Sequence, residues 1–256
     1  MRGASRASLL LLRSIRNPES RMYHLSPHVY ACTTGRYYMF LDLKRDAYFS
    51  IARDDMDELA PWVHGWHLST GIEPQPHSPL PERAARLASE LLAADVLRHG
   101  RSASPHWEGG TPAAEDDLAS ADPVAPKHGR SLFLQVLASL AYADWVLRHH
   151  SMVRIVENVT RRKRRRENST ASGDPGRFDE LAAVFLRYRP WYPRDHVCLF
   201  DSLAMLRFLS RHGTFPEWVF GVREEPFSAH CWLQAGGRIL NDHRDHVAIY
   251  TPILSV

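Results

Sequence analysis

Three cysteines in 256 residues, Cys32, Cys198 and Cys231, are too few for a disulfide framework, and their irregular spacing fits no four-cysteine zinc site. A reducing, cytoplasmic compartment is the expectation, and there a cysteine in a special setting is a reactive one. Long apolar runs are absent too. The cluster Leu9–Leu12 in MRGASRASLLLLRSIRNPESRMYHL falls short of the roughly 7–15 residues of a signal-peptide core, and no small-residue cleavage site precedes Arg13 and Arg16. No export signal and no membrane span are expected. Nothing in this stretch joins the periodic pattern that begins near His28, so residues 1–21 read as a disordered extension, with Met22 a plausible start. No internal repeat is visible.

A strong overall charge is also lacking. The net charge is +3, yet the run RRKRRR at Arg161–Arg166 holds six cations, so the remainder of the chain, at +3 less 6, carries −3. The basicity is local. Such a run is a solvated loop or helix end, or a patch for an acidic peptide or partner. No aromatic residue interleaves with it to stack on bases, so nucleic acid is not the expected partner.

Against these absences stand clear periodicities. YACTTGRYYMFLDLKRDAYFSI reads as a β-meander with strands near His28–Thr33, Tyr37–Asp42 and Ala47–Ile51, the last two joined by a tight turn around Lys44–Asp46. A helix beginning in DDMDELAPWVHGW is interrupted at Pro61, and Pro81–His99 carries a helical apolar face from Ala84 to Val96. Residues 100–130, rich in Gly, Pro, Ser, Ala and Asp, read as a linker. From Ser131 one long helix is expected to end before the arginine run, followed by a helix over Phe178–Tyr188, the cysteine helix from Val197 to Arg211, and strands near Glu217–Val222, Ser228–Gln234 and Arg238–Asp242. Helices followed by strands make an α+β pattern.

The chemistry concentrates in the last third. RDHVCLFDSLAMLRFLSRHG puts Cys198 in the first turn of an amphipathic helix, where free N–H groups and the helix dipole favour a thiolate and offer an oxyanion hole. Thirty-two residues on, AHCWLQAGGRILND holds His230 and Asp242 at the two ends of a hairpin. A three-residue loop Ala235–Gly237 would pair Gln234 with Arg238 and set His230 opposite Asp242 on one face, where the carboxylate orients the ring. A two-residue loop would oppose Asp242 to Cys231 instead. Cys231 is the rival nucleophile, but it alternates away from His230 and faces the core. Taken singly, each residue has a plain structural reading; the combination is what suggests a Cys-His-Asp site. His243, Asp245 and His246 offer metal-ligand types, but no matching pair stands out elsewhere, and no metal is expected.

CLFDSLAMLRFLSRHG with EWVFGVREEPFSAHCWLQAGGRILND resembles the transglutaminase-like (papain-like) protease domain of lasso peptide biosynthesis B proteins. The resemblance rests on Cys198–Leu199, Gly213, Gly221–Val222, His230–Trp232 and Asp242, and covers roughly residues 131–256. GRYYMFLDLKRDAYFSI resembles the small PqqD-like leader-recognition module, winged-helix-like with a three-stranded sheet, which implies a first domain over residues 22–99. The stretch before Met22 departs from that pattern. The resemblance implies a cysteine peptidase that removes the leader of a ribosomally made lasso precursor, with Cys198, His230 and Asp242 as its triad. The leader would add a strand at the edge formed by Ala47, Tyr48, Phe49, Ser50 and Ile51. It also implies a partner, an asparagine-synthetase-like cyclase that consumes ATP, while this chain has no intrinsic cofactor. An acyl transferase or amidase on the same fold remains open, as does a non-catalytic peptide- or DNA-binding protein.

Overall fold

The aromatic segment near the start of the chain builds its first sheet around a central strand that is buried almost throughout. A computed structural model describes residues 22–64, 79–100, 113–118, 129–167 and 175–256. These fall into two units, the first Met1–Asp42 with Ala47–Glu108 and the second Gly109–Val256 with the short segment Leu43–Asp46. Residues 1–21, expected to be disordered, lie outside the described residues.

In the first unit, β1 (Tyr23–Leu25) is followed by β2 (Val29–Thr33), β3 (Tyr37–Asp42) and β4 (Ala47–Ala52), the last three forming an antiparallel sheet in the order β2-β3-β4. Tyr38 and Phe40 of β3 are fully buried, and Phe49 of β4 stacks on Phe40 with centroids 4.8 Å apart. Next, α1 (Arg53–Leu59) opens with Asp54 and Asp55, whose charges suit a helix amino terminus, and gives way to a tight turn at Ala60–Trp62, where Pro61 lacks the N–H to continue it. Met56 and Leu59 pack with Ala84, Ala88 and Leu91 of α2 (Glu82–Ala93) beneath the sheet.

The helix expected to reach His99 stops six residues early. Asp95 adopts φ 55°, the Val96 N–H returns to the Leu91 carbonyl (2.9 Å), and β5 (Leu97–His99) pairs antiparallel with β1. The apolar residues Val96 and Leu97 fit either element. The stop rests on an aspartate in a left-handed position that glycine usually takes.

The second unit contains β6 (Asp116–Asp117), inside the segment expected to be a linker; residues 101–112 and 119–128 of that segment lie outside the described residues. The expected single long helix is two, α3 (Arg130–His149) and α4 (Met152–Glu167). His150 is extended (φ −129°, ψ 145°), and Ser151, a favoured residue just ahead of a helix, accepts the Ile155 N–H on its carbonyl at 3.1 Å. The arginine run therefore forms the last turns of α4 instead of following a helix.

Then come α5 (Pro175–Tyr188), a tight turn at Arg189–Trp191, and α6 (Cys198–Arg211). α6 buries Phe200, Leu203, Met205, Phe208 and Leu209 against α3 and the sheet, and ends at Gly213 with φ 81°, a conformation glycine takes without penalty. The sheet runs β10-β7-β8-β9-β6, from β7 (Glu217–Arg223), β8 (Ser228–Ala235), β9 (Arg238–Ile239) and β10 (Thr251–Ser255), with a one-turn helix α7 (Arg244–Val247) before β10. Among the described residues of this sheet only the β6–β9 pair is parallel. The whole is a mixed α+β protein, and among the described residues no helix is long and apolar enough to cross a membrane.

One buried charge fixes where α6 begins. Arg189 is 3% exposed; its Nε donates to the Asp201 carboxylate, and its terminal nitrogens donate to the carbonyls of Tyr192 (3.2 Å), Arg194 (3.0 Å) and Asp195 (3.1 Å). Asp201 also accepts the Val197 N–H at 3.2 Å, capping the helix. Replacing Arg189 with Met leaves Asp201 and three carbonyls without their donor. Urea denaturation should show a loss of about 3–5 kcal/mol, the scale for breaking a buried pair. Arg189→Lys should not restore it, since an ammonium lacks the planar fork that spans these acceptors.

Candidate active site

Cys198 is the first residue of α6. Val197 ahead of it is extended (φ −131°, ψ 124°), so the first-turn N–H groups open beside the thiol. α6 packs on β8, which carries His230 and Cys231.

The hairpin that brings in Asp242 does not have the expected register. Its loop is two residues, Gly236 and Gly237, and the pairs are Ala235 with Arg238 and Gln234 with Ile239. A ladder continued in that register would oppose Asp242 to Cys231. The ladder stops first. After Leu240 donates to the Leu233 carbonyl (3.0 Å), the Asn241 side chain takes the Leu233 N–H (2.7 Å), and the chain bends out of the sheet. That bend delivers Asp242 to the histidine, Oδ2 to His230 Nε2 at 2.5 Å. The structure thus brings Asp242 and His230 together by a different route from the one the sequence suggests. With Nε2 engaged, Nδ1 is the nitrogen left to face Cys198.

The side chains of His230 and Asp242 are only 12% and 14% exposed. Asp242 Oδ1 accepts the His243 N–H (2.7 Å) and faces His246 Nδ1 (2.9 Å). The imidazole of His230 lies between Trp232 (centroids 6.0 Å, nearly parallel) and Tyr250 (5.2 Å). Gly221, opposite His230 in the β7–β8 register, makes this possible: a Cβ there would meet the Trp232 ring and Tyr250 Cβ at 2.9 Å. His246 and Tyr250 are site neighbours that sequence reasoning missed, His246 having been weighed only as a metal ligand. The ligand atoms of His230, Asp242 and His246 lie within 4.8 Å of one another, whereas His243 contributes its backbone N–H.

Cys231 is buried, 3% exposed, as its alternation predicts, yet it also touches the site. Its thiol lies 3.4 Å from Ser202 Oγ, which in turn receives the Trp218 indole N–H (2.9 Å) and bonds the Cys198 carbonyl (2.7 Å). The Cys198 thiol is held down to about 4 by hydrogen bonds from the Cys231 thiol first, then from His230 and the Cys231 N–H, and by the His230 charge, all against the cost of burial. Burial opposes the charged form of His230, but bonds to Asp242 and Cys198 outweigh it and raise the imidazole to about 9. Burial likewise opposes ionisation of Asp242, and its bonds to His230, His243 and His246 win, lowering it to about 2. Burial pushes Cys32 up to about 12, and Cys231 is raised by its contact with Cys198 and by burial. Between about pH 4 and 9 the stable form is therefore a thiolate–imidazolium–carboxylate chain, which can attack an electrophilic carbon and donate a proton to a leaving group.

The expected peptide-binding residues Ala47, Tyr48, Phe49, Ser50 and Ile51 form β4, at the edge of the three-stranded sheet. The Arg53 N–H bonds the Arg36 carbonyl at 3.0 Å, which sets the ladder's phase: with Phe40 opposite Phe49, the N–H groups of residues 49 and 51 point to β3, and that of Ser50 points away from it.

The lowered thiol gives a direct readout. Iodoacetamide should alkylate Cys198 of the folded protein with a half-point near pH 4, far below the ordinary thiol at 9.0, and reach its plateau well under neutrality. Cys32 and Cys231 should stay unmodified. His230→Gln should move the half-point upward, because the imidazolium that favours the thiolate is gone; mass spectrometry of the alkylated peptides measures each site.

Comparison with known proteins gives two partial matches. A stretch of 59 residues is 36% identical to the Microcin J25-processing protein McjB of Escherichia coli, covering 22% of this chain and 28% of that protein. The chain thus matches under a third of the relative's length. No solved structure matches. Residues 134–255, from α3 through β10, match the model of the transglutaminase-like superfamily.

Proposed function

We propose that the protein is a cysteine peptidase that removes the leader from a ribosomally made lasso peptide precursor. The observation that carries the reading is the His230–Asp242 hydrogen bond beside a helix-head thiol held as thiolate. The similarity to a protein named for microcin processing supports the substrate class. Cys198 Sγ attacks the scissile carbonyl, and the N–H groups of the first turn of α6 stabilise the oxyanion. His230 passes its proton to the leaving amine of the core peptide, leaving the leader acylated on Cys198. Water then attacks, His230 taking its proton, and the thiolate leaves. Asp242 holds the ring so that Nδ1 faces the sulfur, and stabilises its charge. The freed core amine passes to an ATP-consuming, asparagine-synthetase-like cyclase. The amino-terminal unit, read as a PqqD-like, winged-helix-like module, captures the leader as an added strand on β4. The family itself favours a second reading, acyl transfer to an amine instead of water; a new isopeptide bond formed without ATP would identify it.

Cys198→Ala should abolish precursor cleavage in a mass-spectrometric assay, and Asp242→Asn should lower kcat by roughly 10⁴-fold, the scale set by loss of the orienting carboxylate in other triads. Cys231→Ala should retain cleavage. An inactive Cys231→Ala beside an active Cys198→Ala would reverse the assignment of the nucleophile.

Leader capture has its own test. Ser50→Pro removes the N–H that points away from β3 and spares the Phe49–Phe40 stack. KM for full-length precursor should rise roughly tenfold, about one hydrogen bond's worth, while cleavage of a short peptide around the scissile bond stays as slow as in the wild type. Equal loss on both substrates in a folded variant would assign β4 to catalysis and not to capture.

A further inference from the structure

Away from Cys198, α3, α4 and α6 fail to close on one another. α4 supplies Ile155, Asn158, Val159 and Arg162, and α6 supplies Leu203, Leu206, Arg207 and Ser210; each set follows the three-and-four spacing of one helix face. Together with Tyr142 and Val146 of α3 they line a cleft of about 610 Å³, mouth included. Its apolar walls would ordinarily be filled by protein in a packed domain. The cleft also holds unsatisfied polar chemistry. His150 Nδ1 is buried there without a hydrogen-bond partner. The Arg207 guanidinium lies 4.5 Å over the Tyr142 ring, and Trp145, also in the lining, is 53% exposed.

The charges around this cleft are of one sign. Burial first, and then Arg162 and Arg211, push Arg207 below its ordinary value, the mark of guanidiniums crowded together. Among the described residues no carboxylate lies within ion-pair distance of Arg162, Arg207 or Arg211, although Arg148, Arg189, Arg194 and Arg238 all have one. The positive strip continues along α4 through the exposed Arg161 and Arg165. Four steps of a helix extend that strip by about 6 Å, further than a single small carboxylate reaches. Several anions on one chain match it better, and the apolar cleft matches a single bulky side chain on that chain.

We infer that this cleft docks an acidic peptide segment of a partner protein, with one aromatic or large aliphatic side chain seated among Tyr142, Val159 and Leu206 and its flanking carboxylates on Arg162, Arg207 and Arg211. The surface is independent of the peptidase reading, since none of these residues belongs to the Cys198 site. It gives the arginine run a role that the site chemistry leaves open.

The test uses the full chain and a fluorescein-labelled acidic heptapeptide of Glu and Asp with a central Phe, followed by fluorescence polarisation. Binding should weaken at least about tenfold when the peptide's Phe becomes Ala, the scale of a buried aromatic anchor. It should weaken about fivefold to tenfold in Arg162→Gln/Arg207→Gln, and fall with added salt. Iodoacetamide reactivity of Cys198 should be unchanged in the variant, which reports that α6 is intact; should the double variant not fold, the exposed Arg162→Gln alone must still weaken binding. Three results would overturn the inference: equal binding of the Phe and Ala peptides, no effect of Arg162→Gln, or tighter arginine-dependent binding of a 20-nucleotide single strand or duplex, which would make the cleft a nucleic-acid site.

Discussion

A guanidinium enclosed by protein under the first turn of α6 decides where the thiol stands. Arg189 follows α5 directly, and four of its N–H donors are spent on Asp201 of α6 and on three carbonyls of the intervening turn. The helix start, the turn and the end of α5 therefore move as one body. Because Asp201 also caps the Val197 N–H, the same carboxylate that neutralises Arg189 sets the first turn, and with it the position of Cys198 against β8. A charge this deep is costly unless it is paired and hydrogen-bonded. The carboxylate and the three carbonyls turn that cost into geometric precision at a site several residues away.

Precision matters because the ionised form of the site is a chain of three charges that is stable only as a whole. Burial disfavours each charge singly, and hydrogen bonds reverse the penalty, some linking the members and others coming from their neighbours Cys231, His243 and His246. The Cys231 thiol does most to hold Cys198 as a thiolate, protonated His230 adds to it, and Asp242 and Cys198 together keep His230 protonated. The aromatic pair Trp232 and Tyr250 excludes water from the ring and keeps those links strong, and Gly221 is what lets the pair close. In chemical terms this is a nucleophile prepared before substrate arrives.

How far the sequence foretold this depends on the range of the interaction. Strands β2, β3 and β4 were legible because short runs of aromatic and apolar residues broken by turn residues are a local signal, and the cysteine helix because its apolar face recurs every three or four residues. The hairpin register was not, since a loop of two or of three residues fits AGG equally well in one dimension. What rescued the His230–Asp242 pair was the Asn241 side chain capturing a strand N–H, an event no alternation rule contains. The end of α2 at an aspartate with positive φ, and the break of the long helix at His150–Ser151, were hidden for the same reason. Tertiary contacts chose between local options of nearly equal merit. β1, β5 and β6 are two or three residues long, and nothing so short carries a period.

The contact between α6 and β8 carries one further consequence. Apolar packing alone would let the helix slide along the sheet at little cost, because dispersion is not directional. Ser202 removes that freedom. Its hydroxyl bonds the Cys198 carbonyl at 2.7 Å, receives the Trp218 N–H at 2.9 Å, and lies 3.4 Å from the Cys231 sulfur, so helix, β7 and β8 meet at one buried polar atom. Hydrogen bonds weaken steeply with distance and angle, and a shift of one ångström along the helix axis would disturb the two contacts that cross to Trp218 and Cys231, while the bond to the Cys198 carbonyl travels with the helix. Cys231 is thereby more than a small core residue. It sits where the polar knot meets the thiolate, and its neighbour in sequence is the histidine. The two consecutive residues of β8 thus bracket the Cys198 sulfur, the imidazole supplying charge and the buried thiol supplying a fixed hydrogen bond, although alternation along the strand aims their side chains at opposite faces.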